Sequence, residues 1–191
     1  MVKKLSLFLS ISILTILLLE LSTAQNSWAV ELSPYDCPVN LGEKIAAQLN
    51  EQDCQRRTDP SNKNYAYRVR WKWNDYLSYG EAVYFPLKPK FYWEKASKVK
   101  KDKIKDWHEL RNVRASNVKD LKCSGYTCFI FADPTGDGHC LFYQRDFYKG
   151  DKFSDHARAS SLLFGYNCDT GKQNSFTPQE VKEFLGAIEA K

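Results

Sequence analysis

The chain has little of what most catalytic sites are built from. It holds three histidines and a single methionine among 191 residues. His108, His139 and His156 stand at no fixed spacing from a serine or a carboxylate. No G-x-S-x-G turn, no H-E-x-x-H helix and no glycine-rich phosphate loop occurs, which removes the commonest serine-hydrolase, zinc-protease and nucleotide-dependent classes. Repeats and low-complexity tracts are missing too. So is an apolar run of bilayer length: Leu5–Leu19 carries no charge but is only about 22 Å long as a helix, against roughly 30 Å of hydrocarbon.

That short run has another meaning. Lys3 and Lys4 precede it, Glu20 ends it, and small residues follow. Basic end, apolar middle and small-x-small site are the layout of a secretory signal peptide. Cleavage is expected after Ala29 (Ser27, Ala29) or after Ala24 (Ser22, Ala24), with residues 1–29 as the preferred signal. Residues 30–191 then form one domain, long enough to hide roughly 70% of its unfolded surface. Loss of Lys3, Lys4 and Glu20 lowers the net charge from +5 to +4. Export places the six cysteines, all beyond residue 29, in an oxidising compartment, where an even count means disulfides sooner than metal.

The patterning predicts an α+β domain with an antiparallel sheet of about five strands, an N-terminal helix and a C-terminal helix packed on it, cross-linked by disulfides. Leu41, Ile45 and Leu49 at four-residue spacing predict a helix over Leu41–Cys54, capped by Asn40. Arg56–Asn64 reads as a loop. Tyr65–Trp73 alternates strictly, Tyr65, Tyr67, Val69, Trp71 and Trp73 against Ala66, Arg68, Arg70 and Lys72, which predicts a strand with one buried and one basic face. Tyr79-Gly80 marks a turn before a strand at Ala82–Leu87. Ile104, Trp107 and Leu110 predict one helix face in the lysine-rich stretch 94–122. Tyr126–Ala132 and Cys140–Tyr148 flank an Asp/Gly/Pro turn and form a hairpin. Ala159–Asn167 is a further strand. Thr177-Pro178-Gln179-Glu180 is a capping box with proline at the first helical position, opening a helix striped by Val181, Phe184, Leu185 and Ile188.

Cys140 opens one strand and Cys168 follows another, and antiparallel neighbours bring such ends within disulfide reach. For the other four cysteines two arrangements remain. Cys123 and Cys128 clasp a short hairpin while Cys37 joins Cys54, or Cys37 and Cys54 bond to Cys123 and Cys128 in either order. A helix over 41–53 opposes the first, because its ends would lie about 18 Å apart. The ending Cys140-Leu-Phe … Leu163-Phe164-Gly165-Tyr166-Asn167-Cys168 … Gly171 … Phe184-Leu185 … Ile188 resembles the ending of many small bacterial periplasmic proteins of unassigned role. The resemblance covers about the last fifty residues. It implies a periplasmic domain and, again, a Cys140–Cys168 bridge; it implies no catalytic residues.

Candidate chemistry is sparse. A cysteine nucleophile needs a free thiolate with a histidine beside it, and the bridges consume the thiols. Asp133, Asp137 and His139 lack calcium-loop spacing and read as a turn, and Cys123, Cys128, His139 and Cys140 fit no zinc pattern. The sequence calls for no cofactor and no metal. The alternating aromatics read as core. The positive signal is charge: Arg68, Arg70 and Lys72 along one strand face, together with Lys98, Lys100, Lys101 and Lys103 of the lysine-rich stretch 94–122. The expected function is a non-enzymatic binding or accessory module, inhibitor-like, of the periplasm or cell envelope, with an anionic envelope component or protein as partner, no nucleic acid and no membrane span after cleavage. The alternative is a hydrolase-like periplasmic enzyme centred on His139 or His156. N-terminal sequencing of the exported protein is expected to begin at Val30 or Gln25; a full-length chain retained in the membrane would sink the signal-peptide reading.

Overall fold

Strand pairing, not helix packing, organises the chain. A computed structural model describes residues 29–58, 65–86, 101–148 and 159–190. In chain order the elements are β1 (Ala29–Glu31), β2 (Val39–Leu41), α1 (Glu43–Ala46), β3 (Leu49–Thr58), β4 (Tyr65–Trp73), β5 (Ser78–Pro86), β6 (Lys119–Cys123), β7 (Tyr126–Ala132), β8 (His139–Tyr148), β9 (Ala159–Asp169), α2 (Pro178–Ala187) and β10 (Ile188–Ala190). Eight strands form one antiparallel sheet in the order β1-β3-β4-β5-β9-β8-β7-β6, and β10 pairs with β2 in a second, two-stranded sheet. The expected α+β domain of about five strands is therefore corrected to a mostly antiparallel β protein with short helices.

The largest correction is residues 41–54. Leu41 ends β2, Ile45 sits in the four-residue α1, and Leu49 opens β3. The three residues do share one core, but from three elements. The reason is covalent. Cys37 is bonded to Cys54 with their Cα atoms 6.1 Å apart, a distance that a continuous helix over this segment cannot span. Arg56–Thr58 accordingly extend β3 instead of starting a loop; residues 59–64 lie outside the described residues. Tyr79 and Gly80 lie inside β5, and the turn falls earlier, at Asn74–Leu77. The other bridges are Cys123–Cys128, which closes the β6–β7 hairpin, and Cys140–Cys168, which joins directly opposed residues of β8 and β9.

Both faces of the large sheet are covered. On one face, Val69, Trp71, Ala82, Tyr143 and Leu163 meet Val39 and Leu41 of β2, Ile45 of α1, and Val181, Phe184 and Leu185 of α2. The helix forms where the capping box predicts: Thr177 accepts from the Glu180 N–H while Glu180 accepts from the Thr177 N–H. On the other face, Phe129, Phe131, Phe142 and Tyr166 are covered by Ile104, Trp107, Leu110 and Val113. Those four recur every third residue, and their backbone bonds are i to i+3: Trp107 to Ile104, Leu110 to Trp107 and Val113 to Leu110. The cover is thus a series of 3₁₀-type turns, beginning with the 3₁₀ helix Lys101–Asp106, in which every third side chain faces inward.

Two glycines make the first face possible. Trp71 pairs across the strands with Gly80, and Tyr143 with Gly165. A Cβ on Gly80 would stand 2.7 Å from the Trp71 Nε1, and one on Gly165 2.6 Å from the Tyr143 hydroxyl. The large rings lie over bare backbone, and Phe184 then packs on both, with centroids 6.4 Å from Trp71 and 5.7 Å from Tyr143. Gly165→Ala is expected to destabilise by about 1–3 kcal/mol through overpacking. Leu185→Ala, at a site 6% exposed, is expected to cost about 2–5 kcal/mol. Urea unfolding checks both; a change under about 0.5 kcal/mol in either would place that residue outside the packed core.

Candidate functional site

The residues that the sequence marks as basic are drawn into ion pairs by strand register. β4 lies between β3 and β5, so its outward row faces acidic residues on either side. Arg68 forks onto Glu81 through Nε to Oε1 and Nη2 to Oε2, the latter at 2.5 Å. Arg70 meets Asp53 at 2.5 Å and Lys72 meets Glu51 at 2.9 Å. Lys101 reaches Asp120 at 2.9 Å and Lys103 reaches Asp106 at 3.3 Å. Lys98, Lys100 and His156 lie outside the described residues. The pairs differ in weight. Arg70–Asp53 and Lys72–Glu51 are exposed and contribute little. Glu81 is 2% exposed; burial pushes its carboxyl up, and the two bonds from Arg68 pull it back toward the charged form. Losing Arg68 would leave a buried carboxylate uncompensated. Glu51 and Asp53 are not singled out by the sequence reading because their segment reads as a helix, and Glu81 is not because only the packing of β5 against β4 shows its tie to Arg68. The legible signal was the alternation of Glu51 and Asp53, mirrored by Arg70 and Lys72 on the next strand.

Asp133 builds a turn. Its Oδ1 accepts from the Thr135 N–H at 2.8 Å, the Thr135 hydroxyl at 2.7 Å and the Tyr79 hydroxyl at 2.9 Å. Burial raises the Tyr79 phenol, so it stays a donor. Asp133 also stands within 4.8 Å of the Cys140 and Cys168 sulfurs, but these are bonded to each other and offer no thiolate to an ion. His108 accepts from Arg111 on an exposed turn. His139 is half-buried at the start of β8, where its register partner is Asp169.

Among the described residues a concave feature lies elsewhere, where α2, α1 and the ends of β4, β5 and β9 meet. It is a cleft of about 880 Å³. Trp73, Ser78 and Asp169 form one cross-strand row along its floor, with Asn167 one row behind. Asn167 is held in place because its Oδ1 accepts the buried Trp71 indole N–H at 3.1 Å. Phe184, Glu180 and Glu183 of α2 form one wall with Phe176 and Lys172; Glu43, Lys44 and Gln48 approach from the α1 side. The walls are tied together. The Gly42 N–H donates to the Ala187 carbonyl at 2.6 Å, and the Tyr126 hydroxyl donates to the Leu185 carbonyl at 3.4 Å. Lys172 bonds Glu180 at 2.6 Å and stands 5.5 Å from the Phe176 ring centre. The arrangement offers aromatic surface, carboxylates and amide or hydroxyl groups at one place, which suits binding of a ligand with both apolar and polar parts. The alternation favours core over a stacking platform for Trp73; it is half-buried, packs on Phe184 and also lines the cleft.

No protein-family model and no curated protein matches the chain. Among solved structures it is similar to one named "Putative kojibiose phosphorylase from human microbiome", at 11% identity and a TM-score of 0.25, over 73% of this chain and 21% of that one. The chain spans about a fifth of that protein's length, and a likeness so low carries no argument about fold or activity.

The cleft wall has a predictable acid limit. Lys172 and the Thr177 bonds hold the Glu180 carboxyl at about 2, down from 4.5. A carboxyl depressed in the folded state contributes stability above its unfolded value, and that contribution is lost as pH falls from about 4.5 toward about 2. Stability measured across that window is expected to fall less steeply in Glu180→Gln than in the parent. Equal slopes would remove Glu180 from the acid transition.

Proposed function

We propose that this protein is a non-enzymatic binding module of an oxidising, extracytoplasmic compartment, the bacterial periplasm or envelope, and that its ligand contacts the cleft between α2, α1 and the sheet. The cleft carries this reading: aromatic, carboxylate and buried polar groups line one concavity between pinned elements. The compartment is supported by three disulfides with no free cysteine among the described residues, by the signal-like residues 1–29, and by the periplasmic resemblance of the last fifty residues. Among the described residues no helix is long and apolar enough to cross a membrane. The cationic row Arg68, Arg70 and Lys72, with Lys101 and Lys103, is ion-paired in the structure, so the cleft is the better-supported contact surface.

A second reading has one observation behind it. His139 is the register partner of Asp169, a cleft residue, and a histidine beside a carboxylate is the usual acid–base element of a hydrolase.

Both readings meet in one experiment. Isotope-labelled protein is titrated with peptidoglycan fragments, lipopolysaccharide and soluble periplasmic fraction, while the added material is assayed for breakdown. Binding without turnover, with resonance shifts concentrated at Trp73, Asn167 and Phe176, is the expected result. Breakdown abolished by His139→Ala would replace the binding module with the enzyme. Shifts confined to Arg68, Arg70 and Lys72 would return the site to the basic row.

A further inference from the structure

We infer that the cleft receives a cationic segment of a partner polypeptide, gripped between the cleft carboxylates and the braced β4–β5 tip. The inference rests on the cleft reading above and names the chemistry of its ligand.

Charge is the first observation. The chain is basic overall, at +5, yet the cleft is lined by Glu43, Asp169, Glu180, Glu183 and Glu189 against Lys44 and Lys172. Lys172 is taken by Glu180. Among the described residues Glu43, Asp169, Glu183 and Glu189 have no ion-pair partner. An acidic concavity on a basic protein selects cations and repels nucleic acid and anionic polymers. The carboxylates come from four separate elements and do not converge. Among the described residues the group close enough to share an ion is Asp133 with the Cys140–Cys168 sulfurs, outside the cleft. The pattern therefore fits several spaced positive charges, not one metal ion.

The floor supplies the second observation. Ser78 and Asn167 line the cleft although each is only 2% exposed, and the Trp73 indole N–H is buried with no acceptor. Asn167 already accepts from the Trp71 N–H, so the unpaired group of the floor is the Trp73 N–H, which an acceptor on a ligand would satisfy, beside the apolar faces of Trp73 and Phe176.

The tip explains why the partner is a polypeptide and not a small amine. Asn74, Asp75 and Tyr76 are consecutive left-handed residues, with φ of 52°, 53° and 66°. An aromatic residue is disfavoured there, and glycine would adopt the same turn freely. The turn is nonetheless held. The Leu77 carbonyl accepts from the Thr170 N–H at 2.8 Å and its hydroxyl at 3.0 Å, and the Leu77 N–H donates to Asn74 at 3.1 Å. The result is Tyr76 at 57% and Leu77 at 46% exposure on a rigid point. Asn74 lines the cleft on one side of this point and a recess of about 390 Å³ on the other. Strain that keeps an aromatic in solvent beside a cleft is a mark of a contact residue, and only an extended ligand reaches both.

The test uses the full mature chain and three probes: an octapeptide alternating lysine and leucine, its glutamate–leucine counterpart, and spermidine. Calorimetry and tryptophan fluorescence are run at low salt and at high salt. The lysine peptide is expected to bind, more weakly at high salt; the glutamate peptide is expected not to bind; spermidine is expected to bind at least about tenfold more weakly than the lysine peptide, since it cannot use the tip. Glu183→Gln and Glu189→Gln are each expected to weaken the lysine peptide about two- to fivefold. Tyr76→Gly is expected to weaken it without lowering the melting temperature, because glycine relieves the turn. A merely structural tyrosine would lose stability instead. No binding of the lysine peptide at millimolar concentration, equal binding of the glutamate peptide, or indifference to both carboxylate variants overturns the cationic ligand. Equal affinity for spermidine overturns the polypeptide. If envelope material still perturbs Trp73 and Asn167 while the lysine peptide does not, this inference fails and the cleft reading stands. If neither perturbs them, both fail.

Discussion

Two rings lying on bare backbone set the geometry of this protein. Trp71 covers Gly80 and Tyr143 covers Gly165, which places large aromatic faces flat against the middle strands of the sheet. Phe184 rests on both rings and on Trp73 as well. The position of α2 over the sheet follows from that contact, and the cleft is the space left where α2 stands off from Trp73, Ser78 and Asp169. The Trp71 indole then fixes Asn167 by a buried hydrogen bond. A side chain on either glycine would lift a ring, tilt the helix and change the cleft together, because interiors packed at crystal density transmit such shifts instead of absorbing them.

The opposite face is built on a different economy of interactions. Its outer strands carry cross-strand ion pairs, and its centre carries Glu81 in the fork of Arg68 under a cover of 3₁₀ turns. Burial of Tyr166 there raises its phenol, so that ring stays neutral in the core. The charges of this face serve register and burial. Alternating acids on β3 opposite alternating bases on β4 favour one strand alignment, since a one-residue slip would turn the basic residues into the aromatic core. In the cleft, by contrast, Glu180 is paired with Lys172 while Glu43, Asp169, Glu183 and Glu189 have no ion-pair partner among the described residues, so cross-strand ion pairing is concentrated on the opposite face.

Legibility followed the range of the interactions involved. Thr177-Pro178-Gln179-Glu180 is a local device, complete within four residues, and it forms as read. The alternation of Tyr65–Trp73 and the hairpin of β7 and β8 are also local and also present. The segment 41–54 went the other way. Its helical spacing is real, but a disulfide from Cys37 to Cys54 overrides a propensity worth only tenths of a kcal/mol per residue. With β3 hidden in that helix, Glu51 and Asp53 were invisible as counter-ions, and Arg68, Arg70 and Lys72 looked like a free basic surface. One wrong element thus hid the counter-ions that the basic row meets on β3.

By itself the sequence determined the capped terminal helix, the alternating strand, the Asp133 turn and an even set of cysteines beyond a signal-like start, because each is written in residues a few positions apart. Tertiary structure alone decided that eight strands share one sheet, that Gly80 and Gly165 lie beneath Trp71 and Tyr143, and that unpaired carboxylates from β9, α1, α2 and β10 surround one cleft. Those contacts join residues tens of positions apart, and no local pattern encodes which distant partner a side chain will meet until the sheet has closed its register.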